Sequence, residues 1–103
     1  MTTSKKEKAS KFLEKEYGHL YFGDLLKAHR LGEDLTQEEL ATKLKITKQK
    51  VSDYENRRRL PSIETINAWA KKLKEPQDIW IKAYVQQQLD DCNLNYIVEL
   101  KLA

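Results

Sequence analysis

The sequence predicts an all-α domain of five helices that is followed by one C-terminal β-strand. Apolar residues recur at intervals of three and four positions through most of the chain, which indicates helices packed around a shared core. Capping residues and prolines divide this pattern into five segments. Only two prolines and three glycines occur among the 103 residues, so long irregular segments are not expected. Near the C-terminus the apolar period changes to two, which is typical of a strand.

Length and composition limit the class of protein further. A chain of 103 residues forms one compact domain with a modest core. Its single cysteine, Cys92, excludes an intramolecular disulfide and a cysteine-based zinc site, and we interpret it as a packing residue. No apolar run reaches the length of a membrane span, and no signal-peptide core is visible. We therefore expect a cytoplasmic protein without membrane contacts.

The sequence does not support catalytic chemistry. His19 and His29 lack metal-ligand spacing, and we expect both to be surface or boundary residues. Neither a phosphate-cradling glycine loop nor a nucleophile motif is present. The sequence therefore predicts no enzyme activity, no catalytic residue, no metal site and no cofactor.

Three parts of the chain differ in character. Residues 1–18 are rich in lysine and predict a basic N-terminal arm or a marginal helix; a solubilising tail and a further binding arm both remain open. Residues 19–75 contain the first four predicted helices. Residues 76–103 contain the fifth helix and the strand, and we expect this part to mediate dimerisation.

The first helix is predicted over residues 20–31. Its apolar residues at helical spacing are Leu20, Tyr21, Leu25, Ala28 and Leu31. Gly32 stands where a left-handed residue would end this helix.

The centre of the chain predicts two short helices that meet at a tight turn. Thr36 and Glu39 have the spacing of a capping box, so the first of the two helices begins after Thr36. The second begins after Thr47, which is again a capping residue. The apolar residues that we expect to face inward from these helices and their turn are Leu40, Ala41, Leu44, Ile46, Val51 and Tyr54.

Two further helices complete the domain. Ser62 precedes a segment whose apolar residues share one helical face, namely Ile63, Ile66, Trp69, Ala70 and Leu73. Pro76 suits the first turn of a fifth helix, which we expect to run to about Leu89 or Asp90.

The last segment, residues 95–102, predicts a strand. Its four apolar residues at period two are Tyr96, Val98, Leu100 and Leu102. A lone strand leaves backbone donors and acceptors unpaired, and no second strand is evident in the sequence. We therefore expect this strand to pair with its copy in a homodimer, as an antiparallel ribbon. A frayed tail, or an extended segment packed on its own domain, remains open.

Positive charge is concentrated in one window of the chain. Residues 43–59 contain seven cations against two anions, a local charge of +5 in a chain whose net charge is +3. This window includes the second of the two short helices and the run of Arg57, Arg58 and Arg59 after it. Basic charge on one structural element is the footprint of a phosphate-binding surface.

Residues 22–74 resemble the helix-turn-helix domain of the XRE family, which is the phage repressor and Cro type. The matching elements are residues 22–31, Thr36-Gln37-x-x-Leu40-Ala41, Ile46-Thr47, Val51-Ser52-x-Tyr54-Glu55-Asn56 and Pro61-Ser62. The resemblance implies a repressor-like fold and a sequence-specific transcription regulator, in most cases a repressor. It also implies double-stranded DNA with a pseudo-palindromic operator as the partner. The sequence departs from the family at Lys45 and Arg57, where glycine is common.

Polar residues of the second short helix have the chemistry to read bases in a major groove. Lys48 can donate to guanine O6 and N7, and Gln49 can bind adenine through two hydrogen bonds. Asp53 can accept from cytosine N4, or it can repel phosphate and set the register. Lys50 can reach either a base or the backbone, and Ser52 also faces outward.

Phosphate contacts are implied by the resemblance at several further positions. Gln37 is expected to clamp a phosphate at the start of its helix, and Thr47 and Asn56 to touch the DNA backbone. Arg57 and Arg58 add positive charge there, which orients the protein without reading sequence. In contrast, we expect Glu55 to hold the loop together.

A role in protein binding is the main alternative. Small chains of this family often serve as antitoxins, which neutralise a toxin protein by contact and repress their own operon. The N-terminal arm or the C-terminal strand would then face the toxin. RNA binding has less support because no exposed aromatic platform is evident.

Overall fold

The structure, a computed structural model, describes residues 19–103, so the arm predicted for residues 1–18 lies outside the described residues. The described residues form five helices, which we number α1 to α5. Their bounds are α1 Phe22–Gly32, α2 Gln37–Leu44, α3 Lys48–Glu55, α4 Ile63–Lys72 and α5 Gln77–Asp91. The prediction of an all-helical domain with five helices is confirmed for this part of the chain.

The capping residues set where the helices begin. Thr36, Thr47 and Ser62 each accept a hydrogen bond from the backbone N–H three residues later. At Thr36 the capping box is complete, because its backbone N–H also donates to Glu39 Oε1 at 2.9 Å. These bonds keep the pKa of the Glu39 carboxyl below its usual range. Pro76 is the N-cap of α5, one residue before the first turn in which we expected it.

Every helix of the described chain is followed by a residue with left-handed backbone that is not glycine. These residues are Asp34, Lys45, Arg57, Lys74 and Asn93, with φ between 55° and 60°. The prediction that Gly32 would end α1 in this way is wrong, because α1 includes Gly32 and the left-handed residue is Asp34. The backbone N–H of Leu35 donates to the carbonyl of Arg30 at 2.9 Å, and this bond closes the turn that ends α1.

The core is built from the inner faces of all five helices around a cluster of aromatic rings. The Phe22 ring lies 6.0 Å from that of Tyr54, 6.3 Å from Trp69 and 5.8 Å from Trp80. The other buried apolar residues are Leu25, Leu26, Leu40, Ala41, Leu44, Val51, Ile66, Ala70, Leu73 and Ala83. The inward positions predicted for α2 and α3 are confirmed, and so is most of the face predicted for α4.

The buried face of α1 differs from the prediction. It consists of Phe22, Leu25, Leu26 and His29, together with Gly23. Ala28 and Leu31, which we expected to face inward, are exposed. The reason is that α1 begins at Phe22, so Leu20 and Tyr21 precede the helix and do not define its face.

His29 is a buried residue, so our expectation of a surface or boundary position is wrong. Its ring packs edge-on against Trp80, and its Nδ1 lies 2.7 Å from Glu75 Oε1. The partner comes from the loop before α5, 46 positions away, which local sequence does not reveal. His19, in contrast, is exposed as expected.

Gly23 allows α1 to approach the end of α3 closely. A Cβ atom at this position would lie 2.2 Å from the carbonyl oxygen of Tyr54 and 3.2 Å from that of Glu55. Real side chains do not tolerate such a distance to backbone atoms, so only glycine permits this contact. The contact fixes α3 against the body of the domain.

The predicted strand at residues 95–102 is not present in the single chain. Within residues 19–103 the structure contains helices but no strand, because these residues offer the segment no neighbouring strand to pair with. The segment instead lies along α5, where Gln86 Nε2 donates to the carbonyl of Tyr96 at 2.7 Å. The N–H of Val98 donates to Gln86 Oε1 at 3.0 Å.

The side chains of this C-terminal segment are mostly exposed. Val98 is half-buried, whereas Leu94, Tyr96, Ile97, Leu100 and Leu102 are exposed. Within residues 19–103, none of the helices combines the length and the apolar character needed to span a bilayer.

Candidate nucleic-acid interface

Helix α3 has two faces of opposite character. Its inner face carries Val51, Tyr54 and Glu55, which are buried. Its outer side carries Lys48, Gln49, Lys50, Ser52 and Asp53, which are exposed or half-buried. Helix α3 is eight residues long, and no apolar side chain lies on its outer side. The inner contacts therefore leave a polar, outward-facing helix.

Glu55, at the end of α3, connects this helix to α1 and to the start of α2. Its carboxylate accepts from Arg30 Nε at 2.7 Å, from Arg30 Nη2 at 3.1 Å and from Gln37 Nε2 at 3.2 Å. Arg30 also donates to the carbonyl of Leu35 at 3.0 Å. The hydrogen bonds that Arg30 donates to the Glu55 carboxylate raise the pKa of the Arg30 guanidinium above its usual value. Glu55 therefore holds the loop and the N-terminus of α2 against α3, as expected from the sequence.

A second network lies on the outer side of α3. Asp53 Oδ1 accepts from Gln49 Nε2 at 3.0 Å and from Arg58 Nε at 3.1 Å. The bond from Gln49, assisted by that from Arg58, keeps the pKa of the Asp53 carboxyl below its usual range. Asp53 therefore carries its negative charge at neutral pH, and Arg58 balances it.

Ser52 and Asn56 extend this network toward the end of α3. Asn56 Nδ2 donates to the carbonyl of Ser52 at 2.8 Å and contacts Ser52 Oγ at 3.4 Å. Arg58 Nη2 donates to the same Oγ at 3.3 Å. Ser52 and Asn56 thus help to shape the helix end, and Asn56 remains exposed on the same side.

Arg57 does not join the other predicted site residues. Its Nη2 donates to both carboxylate oxygens of Asp24, at 3.0 and 3.2 Å, and its guanidinium lies 4.7 Å from the centre of the Tyr21 ring. These partners belong to the start of α1. The sequence could not separate Arg57 from Arg58, because the left-handed backbone at Arg57 sends the two adjacent side chains in different directions.

The anions within residues 43–59 are balanced by the fold. Glu55 is buried and paired with Arg30, and Asp53 is paired with Arg58. Of the remaining cations, Arg57 is paired with Asp24 from outside the window. The other five, Lys43, Lys45, Lys48, Lys50 and Arg59, are exposed. The outer side of α3 and its flanks therefore present a positive surface.

The residues predicted for dimerisation lie on a different part of the molecule. Tyr96, Val98, Leu100 and Leu102 belong to the C-terminal segment on α5. Gln86, which anchors that segment, was not identified from the sequence, since a glutamine on a helix gives no signal of a buried role.

The fold and this face define a helix-turn-helix DNA-binding protein. In agreement, the helix-turn-helix family model matches residues 26–78, about half of the chain. The chain belongs to this family, in its XRE type, and is a DNA-binding transcription regulator. No significant match to the chain was found among curated proteins or among solved structures.

Proposed function

We propose that the protein is a sequence-specific repressor that binds a pseudo-palindromic operator as a homodimer, with α3 in the major groove. One observation carries this proposal. The inner side of α3 is fully engaged with the core, while its outer side is polar and flanked by exposed cations. A major groove admits one helix and is read by such polar side chains.

Base reading is assigned to the first turns of α3. Lys48 donates to guanine O6 and N7, and Gln49 binds the adenine edge. Lys50 and Ser52 face the same side and add contacts to bases or to the backbone. Each base-reading contact of the bidentate kind contributes roughly 1–3 kcal/mol of discrimination.

Phosphate contacts are assigned to the helix ends. Gln37 stands at the N-terminus of α2, where backbone N–H groups favour an anion, and its tether to Glu55 restricts its side chain. Thr47 and Asn56 flank α3 at its two ends, and Arg58 adds charge beyond Asn56. Because Arg57 is engaged with Asp24, we assign it to packing against α1 rather than to DNA.

The homodimer is assigned to the C-terminal segment. Gln86 bonds to the carbonyl of Tyr96 and the N–H of Val98, so these groups face α5. In an extended backbone, successive residues direct their N–H and C=O groups to opposite edges. Those of Ile97 and Glu99 therefore point away from α5. That outer edge suits an antiparallel copy, with exposed apolar side chains beside it.

An antitoxin is the second candidate function. The same exposed apolar side chains suit a toxin protein as partner. An exposed apolar surface indicates a protein contact but does not identify the partner. Co-purification of the tagged chain from its native cell separates the candidates: a small protein bound in equal amounts favours the antitoxin, and a chain recovered only with itself favours the repressor.

Base reading is tested by selection of bound fragments from random duplex DNA. The wild-type chain should enrich a pseudo-palindrome with half-sites about 34–36 Å apart, or a multiple of that distance. Gln49→Ala should relax preference at one base pair in each half-site. Arg58→Ala, the matched control for charge, should weaken specific and random DNA alike and lower the salt slope by about 1. Equal losses on both kinds of DNA for Gln49→Ala would show that it does not read bases.

The dimer is tested with a chain that ends at Asn93, which retains all five helices. Sedimentation should show a dimer for the full chain and a monomer for the shortened one. A shortened chain that dimerises as tightly as the full chain would remove the C-terminal segment from the interface. Repression itself is read from a reporter gene placed behind the selected operator.

A further inference from the structure

The carboxylate of Asp53 is covered by its neighbours. The Asp53 side chain is only 16% exposed, whereas the Arg58 side chain above it is 56% exposed. Both Gln49 Nε2 and Arg58 Nε donate to the same oxygen, Oδ1. A covered carboxylate that already accepts from two donors is poorly placed to reach a cytosine amino group. Its chemistry suggests a contact with a base, but its covered position does not favour that role.

Gln49 keeps the groups that base reading requires while it is bound to Asp53. A glutamine amide has two N–H donors and one carbonyl acceptor, and a carboxylate only accepts. The Nε2 end of Gln49 must therefore face Asp53, which fixes the orientation of the amide. One N–H and Oε1 remain, and these form the donor and acceptor pair that adenine N7 and N6 require.

We propose that Asp53 is a positioning residue, which sets base preference at the base pair read by Gln49 without touching a base itself. This inference rests on the proposed function, in which α3 reads the major groove. The i, i+4 spacing places Gln49 and Asp53 one turn apart on the same side of α3. Arg58 is held over the carboxylate by Ser52 Oγ and shields it from the DNA.

Selection from a randomised duplex library with full-length variants tests this inference. Gln49→Ala first identifies the base pair that Gln49 reads. Asp53→Ala should then reduce preference at that same base pair by roughly tenfold, since the amide loses its fixed orientation. Asp53→Asn should give a smaller loss than Asp53→Ala, because its amide can accept from Gln49 but can also present a donor to it. Arg59→Ala, the matched control, removes an exposed cation that forms no hydrogen bond with Gln49 or Asp53. It should weaken all duplexes and leave that preference unchanged.

The free protein provides an independent measurement. The side-chain amide proton signals of Gln49 should shift in Asp53→Ala and remain in place in Arg59→Ala. Full preference at the Gln49 base pair in Asp53→Ala, or loss of preference only at a separate cytosine position, would overturn the inference alone. A wild-type chain that enriches no motif would overturn the proposed function, and the inference with it.

Discussion

Arg30 and Glu55 form a buried ion pair with two hydrogen bonds, of 2.7 and 3.1 Å, between residues 25 positions apart. The side chains are 12% and 3% exposed. The pair joins α1 to the end of α3, and Gln37 donates to the same carboxylate from the start of α2. This carboxylate of α3 therefore faces the protein, where it sets the relative positions of α1, α2 and α3.

Removal of the Glu55 carboxylate should destabilise the protein strongly. Glu55→Ala leaves Arg30 buried without its partner, and we expect a loss of about 3 kcal/mol in the free energy of unfolding. Denaturant titration followed by circular dichroism measures this loss. Arg58→Ala breaks a pair at the surface, in which the arginine is 56% exposed, and should cost less than about 1 kcal/mol. Equal losses for the two variants would show that the buried pair has no special role in stability.

The close approach at Gly23 leads to a second prediction. Gly23→Ala places a methyl group 2.2 Å from the carbonyl oxygen of Tyr54, so α1 and α3 must separate. We expect a loss of about 3 kcal/mol or more, measured by thermal or denaturant unfolding. Gly32→Ala is the matched control, because a Cβ there has no heavy atom within 4 Å. The contact would be refuted by a Gly23→Ala variant as stable as the control.

Local sequence signals predicted the helices well and their long-range contacts poorly. Thr36, Thr47 and Ser62 cap helices through bonds that span three positions, so their pattern is visible in the sequence. The pairing of His29 with Glu75 spans 46 positions, and that of Arg57 with Asp24 spans 33. No periodicity encodes such pairs, which depend on how finished helices pack.

The same distinction holds within the candidate site. The outer residues of α3 followed from its period and from the family resemblance, and so did the inner Val51 and Tyr54. The bond between Gln49 and Asp53 has helical spacing and was open to prediction. The position of Arg58 over Asp53 was not, because it depends on the left-handed backbone at Arg57.

Tyr21 is expected to ionise at unusually high pH. Its hydroxyl donates to Asp90 Oδ2 at 2.5 Å, and this bond, with burial, raises the pKa of Tyr21 from 10.0 to about 12. The pKa is raised in the folded state, so the contribution of Tyr21 to stability is complete below pH 10. It is lost as the pH rises toward 12. Phenolate absorbance should show a titration near pH 12 that is absent from Tyr21→Phe.

The same variant tests the bond at neutral pH. Tyr21→Phe removes one hydrogen bond to a charged group and should cost roughly 1.5 kcal/mol in the free energy of unfolding. Tyr84→Phe, a half-buried tyrosine on α5, is the matched control and should have little effect. The Asp90 carboxyl has a lowered pKa, caused mainly by Tyr21, so its contribution is present at neutral pH and lost in acid. An unchanged high-pH titration in Tyr21→Phe would assign it to another tyrosine.

Backbone strain at the end of α2 gives the last prediction. Lys45 has φ of 59° and is exposed, in the position where glycine is common in the family. Lys45→Gly should raise the free energy of unfolding by up to about 1 kcal/mol, because glycine adopts this conformation without steric cost. Denaturant titration measures the gain.

Lys43→Gly is the matched control, since it removes the same charge two positions earlier inside α2. Glycine within a helix is unfavourable, so this variant should lose about 1 kcal/mol and have the opposite sign. Both variants remove one exposed cation near α3, the helix that we propose enters the major groove. If either lysine contacts a phosphate, that variant should lower the salt slope of DNA binding by about 1, independently of its stability. A destabilised Lys45→Gly would mean that the lysine side chain makes contacts worth more than the relieved strain.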